Sequence, residues 1–235
     1  MLGVEKISAI QSIWEGFDFS YILGILLGLI PALLCITLHE LSHGFVAYKL
    51  GDDTAKRMGR LTLNPIKHLD PIGLLMMLVF HVGWAKPVPV NMYKFKNPKK
   101  GMALTALAGP VSNILIAIVF LLLYRLLYLP LSSSTVGSYA LQMIQLTSYL
   151  SIGLGIFNLL PIPPLDGSKV LFSAMSDESY YKLMHYERYG AIIMLVLVST
   201  GVLGKPLTAA IDFVYTHLVP VAQWALNGVF YLFYK

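Results

Sequence analysis

Residues 39–43 read HELSH and lie in the last third of a long apolar run that begins at Tyr21. On a helix, His39 and His43 are four positions apart and project from one face, where two imidazoles can hold one Zn²⁺. Glu40 lies beside them, where a carboxylate can accept a proton from water activated by the zinc. Because ionisable side chains are unfavourable inside a membrane, these three residues predict a metal-dependent hydrolytic site within or at the edge of a bilayer. The alternative is a pair of interfacial histidines at a helix end, with Glu40 reaching to water.

The third metal ligand must come from another part of the chain. A catalytic zinc commonly takes three protein ligands and leaves a fourth position for water, and HELSH supplies two. The chain has no glutamate between Glu40 and Glu178, so the candidate ligands are aspartates: Asp52, Asp53, Asp70 and Asp166. Asp52 and Asp53 follow the apolar run, where we expect them to be exposed turn residues. Asp70 precedes Pro71, where it can start the next segment. Asp166 lies in an apolar, proline-interrupted stretch where an unpaired carboxylate would be strongly unfavourable, so we predict it as the third ligand.

Composition places these residues in a membrane protein. Apolar residues make up 57% of the 235-residue chain and charged residues only 12%, about half the charged share of a soluble domain. The net charge of +5 comes from basic residues clustered in short loops beside apolar runs, which is the positive-inside pattern rather than a nucleic-acid surface. We therefore expect a multi-pass protein of the cytoplasmic membrane, with its site toward the cytoplasmic side and no nucleic-acid partner. The single cysteine, Cys35, excludes an intramolecular disulfide and a multi-cysteine zinc cluster.

The apolar runs predict an all-α polytopic membrane protein with about four to six transmembrane helices. The expected spans begin with residues 21–48, 102–129 and 141–160, followed by two marginal runs at 189–203 and 207–233. The apolar piece at 71–82 is too short for an upright span, and GWAKPVPVN at 83–91 favours extended backbone. We thus expect a re-entrant or extended segment near residues 71–91, and the alternative for the apolar piece is a thin or tilted span. An extended edge there could pair with an unwound peptide, and the alternative is a rigid connector.

Five motifs in order carry a family resemblance. They are HELSHG at 39–44, NPIKHLDPIG at 64–73, GWAKPVPVN at 83–91, AGP-x-x-N at 108–113 and PPLDG at 163–167. Together they resemble the site-2 protease family of intramembrane zinc metalloproteases, in its short bacterial type without PDZ or CBS domains. The likeness covers about residues 21–175.

The resemblance implies specific roles for residues of this chain. It implies one Zn²⁺ held by His39, His43 and Asp166, with Glu40 as catalytic acid and base. It also implies that Asn113 and Asn158 lie near the site, where they would contact substrate or the oxyanion. The expected substrate is a transmembrane protein already trimmed by another protease, cleaved in or near its membrane segment as a step of regulated intramembrane proteolysis.

The resemblance also implies a division of the chain into three regions, and two alternative functions remain. Residues 21–175 would form the intramembrane metalloprotease core, residues 1–20 an N-terminal segment that can lie at the membrane surface, and residues 176–235 C-terminal membrane segments. A divalent-cation transporter also uses intramembrane histidine and aspartate, but it has no need of a glutamate directly after the first histidine. A catalytically inactive membrane binding protein is the second rival, and the intact Glu40 argues against it.

Overall fold

The structure, a computed structural model, describes residues 19–80 and 83–233. The segment expected at residues 1–20 therefore lies almost entirely outside the described residues. Within the described ranges the regular elements are helices. One isolated antiparallel β-bridge pairs Leu69 with Ala85. The α-helices are α1 (Phe19–Lys49), α2 (Thr54–Arg57), α3 (Pro71–Phe80), α4 (Pro98–Leu131), α5 (Thr135–Asn158), α6 (Asp166–Ser173), α7 (Asp177–Ser199) and α8 (Gly204–Phe233), with 3₁₀ turns at Pro65–His68 and Met92–Lys94.

Three of these helices, α1, α4 and α5, are long and apolar enough to cross a membrane. The parts Ile192–Ser199 and Gly204–Trp224 of α7 and α8 meet at an 85° bend and together can supply a fourth span. The prediction of an all-α polytopic membrane protein is confirmed. Among the described residues the count is three, below the expected four to six, and it reaches four only if the bent pair forms one span.

The core is a triangle of α1, α4 and α5, in which α4 packs closely on α5 and α1 packs on both. Small and polar residues form the contacts between these helices. Ser151 of α5 donates a hydrogen bond to the carbonyl of Asn113 on α4 at 2.8 Å, and Cys35 of α1 lies 3.5 Å from the carbonyl of Thr147 on α5. Membrane helices associate through such close packing and interhelical hydrogen bonds. The three packed helices therefore hold the side chains they present in fixed relative positions.

The proline-rich break after α5 is present as expected. Residues 159–165 form turns that include a cis peptide between Pro163 and Pro164, and α6 then starts at Asp166. A Cβ atom on Gly167 would lie 2.1 Å from the carbonyl oxygen of Leu159 at the end of α5. Only glycine allows this approach, which brings the first turn of α6 back against the bundle. There α6 packs against α4.

The segment at residues 83–91 is non-helical, as its prolines predict. It follows α3, whose first turn is capped by Asp70, since Oδ1 accepts hydrogen bonds from the amides of Ile72 and Gly73 at 2.9 Å. The starting role expected for Asp70 is therefore confirmed. The segment passes close to α1 and forms one wall of the cavity described below.

Candidate metal centre

Three potential ligand atoms converge where α1 meets the start of α6. Nε2 of His39 and Nε2 of His43 are 3.0 Å apart, and Oδ2 of Asp166 lies 3.2 Å and 3.1 Å from them. For zinc bonds of 2.0–2.1 Å in a tetrahedron, neighbouring ligand atoms are about 3.3 Å apart. All three residues are buried, with exposed fractions of 4%, 8% and 9%. The geometry and the donor set of two imidazole nitrogens and one carboxylate oxygen thus fit Zn²⁺.

Hydrogen bonding fixes the orientation of His43. Its Nδ1 lies 2.7 Å from the main-chain carbonyl of Thr105 on α4. Because a carbonyl can only accept, Nδ1 carries the proton and Nε2 presents its lone pair to the other two ligand atoms. The sequence carried no signal for this contact, since every residue offers a main-chain carbonyl.

A glycine on α4 makes room for both histidine rings. A Cβ atom on Gly109 would lie 2.5 Å from Cε1 of His39 and from Cε1 and Nε2 of His43. Real Cβ atoms do not make contacts this short with ring atoms, so α4 can lie behind the histidines only because residue 109 is glycine. The structure shows the close approach at Gly109.

Glu40 lies beside the ligands, half-buried on the same helix. Its Oε2 accepts a hydrogen bond of 2.8 Å from the main-chain amide of Val88, in the non-helical segment. The carboxylate and the ligands line one cavity of about 770 Å³, walled mainly by apolar side chains from that segment and from α7. A carboxylate next to a metal position, in a largely apolar cavity large enough for a peptide, can do acid–base chemistry on a bound substrate.

The two asparagines named by the resemblance occupy different places. Asn158, the last residue of α5, lines the cavity, and its Nδ2 donates to the carbonyl of Leu154 at 2.9 Å. Asn113 is fully buried on α4, one helical turn beyond Gly109, and is absent from the described lining of the cavity. Neither polar atom of the Asn113 side chain has a hydrogen-bond partner among the described residues.

Asp52 differs from its sequence-based expectation. Because Asp52 follows the apolar run in a turn, we predicted that it is exposed. This prediction was wrong, since Asp52 is completely buried. It accepts hydrogen bonds from the amides of Asn91 at 2.6 Å and Thr54 at 3.0 Å, with Nζ of Lys94 at 3.5 Å. Burial opposes ionisation, but the hydrogen bonds from Thr54 and Asn91 and the charge of Lys94 together hold the pKa of Asp52 below its usual value. The available signal was the Asp-x-Thr spacing, typical of a local turn in which the carboxylate caps the chain.

A bundle of membrane-spanning helices with a buried His–His–Asp set and a neighbouring glutamate is the arrangement of a membrane zinc metalloprotease. Comparison with known proteins agrees with this class. The family model of peptidase family M50 matches residues 126–203, a range that includes Asp166. The chain is 44% identical over 173 residues to "Putative zinc metalloprotease YwhC" of Bacillus subtilis, covering 73% of this chain and 79% of that protein. The chain belongs to peptidase family M50, the site-2 protease family, and is a zinc-dependent metalloprotease.

Two further relatives are also named as zinc metalloproteases. "Putative zinc metalloprotease Rip2" of Mycolicibacterium smegmatis is 30% identical over 177 residues, covering 74% of this chain and 66% of the relative. "Putative zinc metalloprotease MJ0611" of Methanocaldococcus jannaschii is 34% identical over 160 residues, covering 66% of this chain and 76% of the relative. No solved structure matches the chain.

Proposed function

We propose that this zinc metalloprotease cleaves peptide bonds within or near the transmembrane segments of other membrane proteins, as a step of regulated intramembrane proteolysis. The observation that carries the proposal is the placement of the three candidate ligands and Glu40 in one cavity between membrane helices. Membrane proteins and peptides at the membrane surface have the most direct access to a cavity placed between such helices. A soluble substrate has no evident need for a site of this kind.

The chemistry assigns separate tasks to the residues. His39, His43 and Asp166 would hold the zinc, which as a Lewis acid polarises the peptide carbonyl and lowers the pKa of water. The Glu40 carboxylate would accept the proton of the attacking water and later deliver it to the leaving amine. The Val88 amide occupies Oε2, while Oε1 makes no hydrogen bond among the described residues and can face the water. Of the two asparagines, Asn158 is the better placed to donate to the oxyanion, because it lines the cavity.

Peptide bonds within a helix are shielded, so a transmembrane substrate would have to unwind locally before attack. Residues that weaken a helix near the cleaved bond should therefore favour cleavage. The non-helical segment at 83–91 lies against the cavity and is the candidate surface for the unwound strand. The expected partner is a single-span membrane protein, already trimmed by another protease. We place the enzyme in the cytoplasmic membrane with its site toward the cytoplasm, because basic loops flank the helix ends that carry the site.

The test compares membrane peptides from cells that carry the wild-type chain or the Glu40→Gln variant. The variant should accumulate at least one uncleaved membrane peptide while its purified form keeps the zinc content of the wild type. Glu178→Gln, the same chemical change at an exposed position on α7, serves as the matched control and should cleave normally. Identical peptide profiles in the wild type and Glu40→Gln would contradict the proposal. Zinc flux that survives Glu40→Gln would favour a transporter instead.

A further inference from the structure

The catalytic glutamate is held by a main-chain group from a distant part of the chain. Val88 donates its amide to Oε2 of Glu40 at 2.8 Å, across 48 positions of sequence. The neighbours Pro87 and Pro89 have no amide hydrogen and a nearly fixed φ, so Val88 is the only amide donor of this tripeptide. Val88 as a whole is 7% exposed. The position of Val88 thus determines where the Glu40 carboxylate is held.

Two residues before Val88, both the amide and the carbonyl of Lys86 are hydrogen-bonded. Nη2 of Arg60 donates to the carbonyl of Lys86 at 2.7 Å, and the amide of Lys86 donates to the carbonyl of His68 at 2.9 Å. On the other side of Val88, the amide of Asn91 binds Asp52 at 2.6 Å. The segment is therefore anchored by side chains both before and after the amide that contacts Glu40.

Arg60 itself is unusual for a buried cation. It is 7% exposed, it forms no ion pair with an acidic group among the described residues, and its Nε is buried without a hydrogen-bond partner there. Burying a guanidinium without a counter-charge is unfavourable. A neutral side chain would fill the same space at a lower free-energy cost. The arginine is explained if the Lys86 carbonyl needs the strong, charged donor that Arg60 supplies.

We propose that Arg60 is a positioning residue for the hydrolytic reaction. By fixing the Lys86 carbonyl, Arg60 fixes the Val88 amide, and the amide in turn holds the Glu40 carboxylate toward the metal centre. The inference rests on the proposed function, because it assigns Glu40 its role as acid and base. It assigns the non-helical segment a task beyond substrate contact.

Kinetics of the full-length, zinc-loaded protein test the consequence for catalysis. The substrate is the membrane peptide identified by the Glu40→Gln comparison. In Arg60→Met, kcat should fall about tenfold to a hundredfold, since a misplacement of about 1 Å has effects of this size. KM and zinc content should stay at wild-type values. Arg60→Lys, which keeps a donor, should recover part of kcat, and Arg57→Met, which changes an exposed arginine, should have wild-type kinetics.

Hydrogen exchange tests the link without any substrate. Within residues 87–90 only Val88 and Val90 carry an amide hydrogen, because the two prolines have none. Exchange at Val88 should become roughly tenfold faster in both Arg60→Met and Glu40→Ala, the effect of losing a hydrogen bond to a charged group. The Arg57→Met protein should exchange like the wild type.

The results separate this inference from the proposed function. If wild-type cells and Glu40→Gln cells show the same membrane peptides, the proposed function fails, while exchange at Val88 still reports on the Arg60 link. Unchanged exchange at Val88 in Arg60→Met would overturn the inference, as would faster exchange with unchanged kcat. Zinc loss with faster exchange throughout α1 and α4 would make Arg60 a general structural residue and would also overturn it.

Discussion

At the scale of single residues, the candidate metal centre depends on the absence of a side chain at Gly109 as much as on the candidate ligands. His39 and His43 stand on α1, and α4 passes directly behind their rings at Gly109. The same stretch of α4 supplies the Thr105 carbonyl that orients His43. The separation of α1 and α4 at this level therefore controls both ring position and tautomer. A bulkier residue at position 109 has to move one helix or the rings.

Gly109→Ala should strongly weaken zinc binding in a protein that still folds. The new Cβ would lie 2.5 Å from atoms of both rings, so the rings must leave the geometry that fits zinc. We expect zinc content, measured by metal analysis of the purified protein, to fall at least about tenfold. Gly153→Ala is the matched control on α5, because its Cβ would meet only the mobile end of Ile211 at 3.3 Å. Full zinc occupancy in Gly109→Ala would contradict the packing argument.

Asp52 should contribute stability that depends on pH. Its pKa is lower in the folded protein than in the unfolded chain, so its contribution is fully present above the unfolded value of about 4 and is lost as pH falls toward the folded value. Asp52→Asn should destabilise the protein by about 1–3 kcal/mol at pH 7, and by less below about pH 4. Denaturation midpoints at both pH values measure the difference. Asp53→Asn, at a half-exposed neighbouring side chain, should have a smaller effect. A larger effect of Asp52→Asn at low pH would reverse the assigned sign.

Sequence reasoning reached the candidate ligands but not the contacts that hold them. His39 and His43 follow from helical spacing, and Asp166 follows from the unfavourable burial of an unpaired acid. The Thr105 carbonyl and the Val88 amide belong to the main chain, so residue type carries no information about them. Asp52 was misjudged because its burial depends on where the segment at 83–91 returns to α1, which is a tertiary contact.

At the scale of elements, two interruptions of helical structure build the site. The proline-rich turns after α5 turn the chain so that α6 begins with Asp166 at the histidines. The non-helical segment at 83–91 brings the Val88 amide to Glu40. Both breaks could be predicted from proline and glycine, because these residues cannot continue a helix or do so poorly. Their three-dimensional paths could not, since each depends on packing against α1 and α4.

The segment at 83–91 gives a direct test of substrate pairing. Val88→Pro is not a clean variant, because it removes the amide that binds Glu40. The amide of Val90 makes no hydrogen bond among the described residues and is the better position. If an unwound substrate strand pairs there, Val90→Pro should raise KM about threefold to tenfold, the effect of one lost hydrogen bond. Zinc content and Val88 exchange should not change.

Val90→Ala is the matched control for this prediction, because it shortens the side chain and keeps the amide. Cleavage kinetics of both variants on the same membrane peptide distinguish the two effects. An unchanged KM in Val90→Pro would remove the Val90 amide from substrate binding. An equal rise in both variants would assign the effect to the lost side-chain contact instead.

At the scale of the whole molecule, the site elements lie at one end of the helical bundle. The histidines are near the end of α1, Thr105 is near the start of α4, and Asn158 and Asp166 flank the break after α5. The basic loops at 56–67 and 94–100 connect to this same end. The turn at 132–134, which joins α4 to α5 at the opposite end, has no charged residue. The distribution of charge along the bundle thus predicts a site near the cytoplasmic surface.

Single-cysteine labelling tests this orientation. The one native cysteine, Cys35, is 1% exposed, and Cys35→Ala gives a background without thiols. In that background we would introduce Ser133→Cys in the turn between α4 and α5, and Lys96→Cys just before α4; both positions are exposed. A membrane-impermeant maleimide should label Ser133→Cys in intact cells and should label Lys96→Cys only after the membrane is permeabilised. Both variants should keep the zinc content of the parent, which shows that the bundle is intact. Labelling of Lys96→Cys from outside would place the candidate metal centre near the outer surface, because Lys96, just before α4, and Thr105, near its start, lie at the same end of that helix.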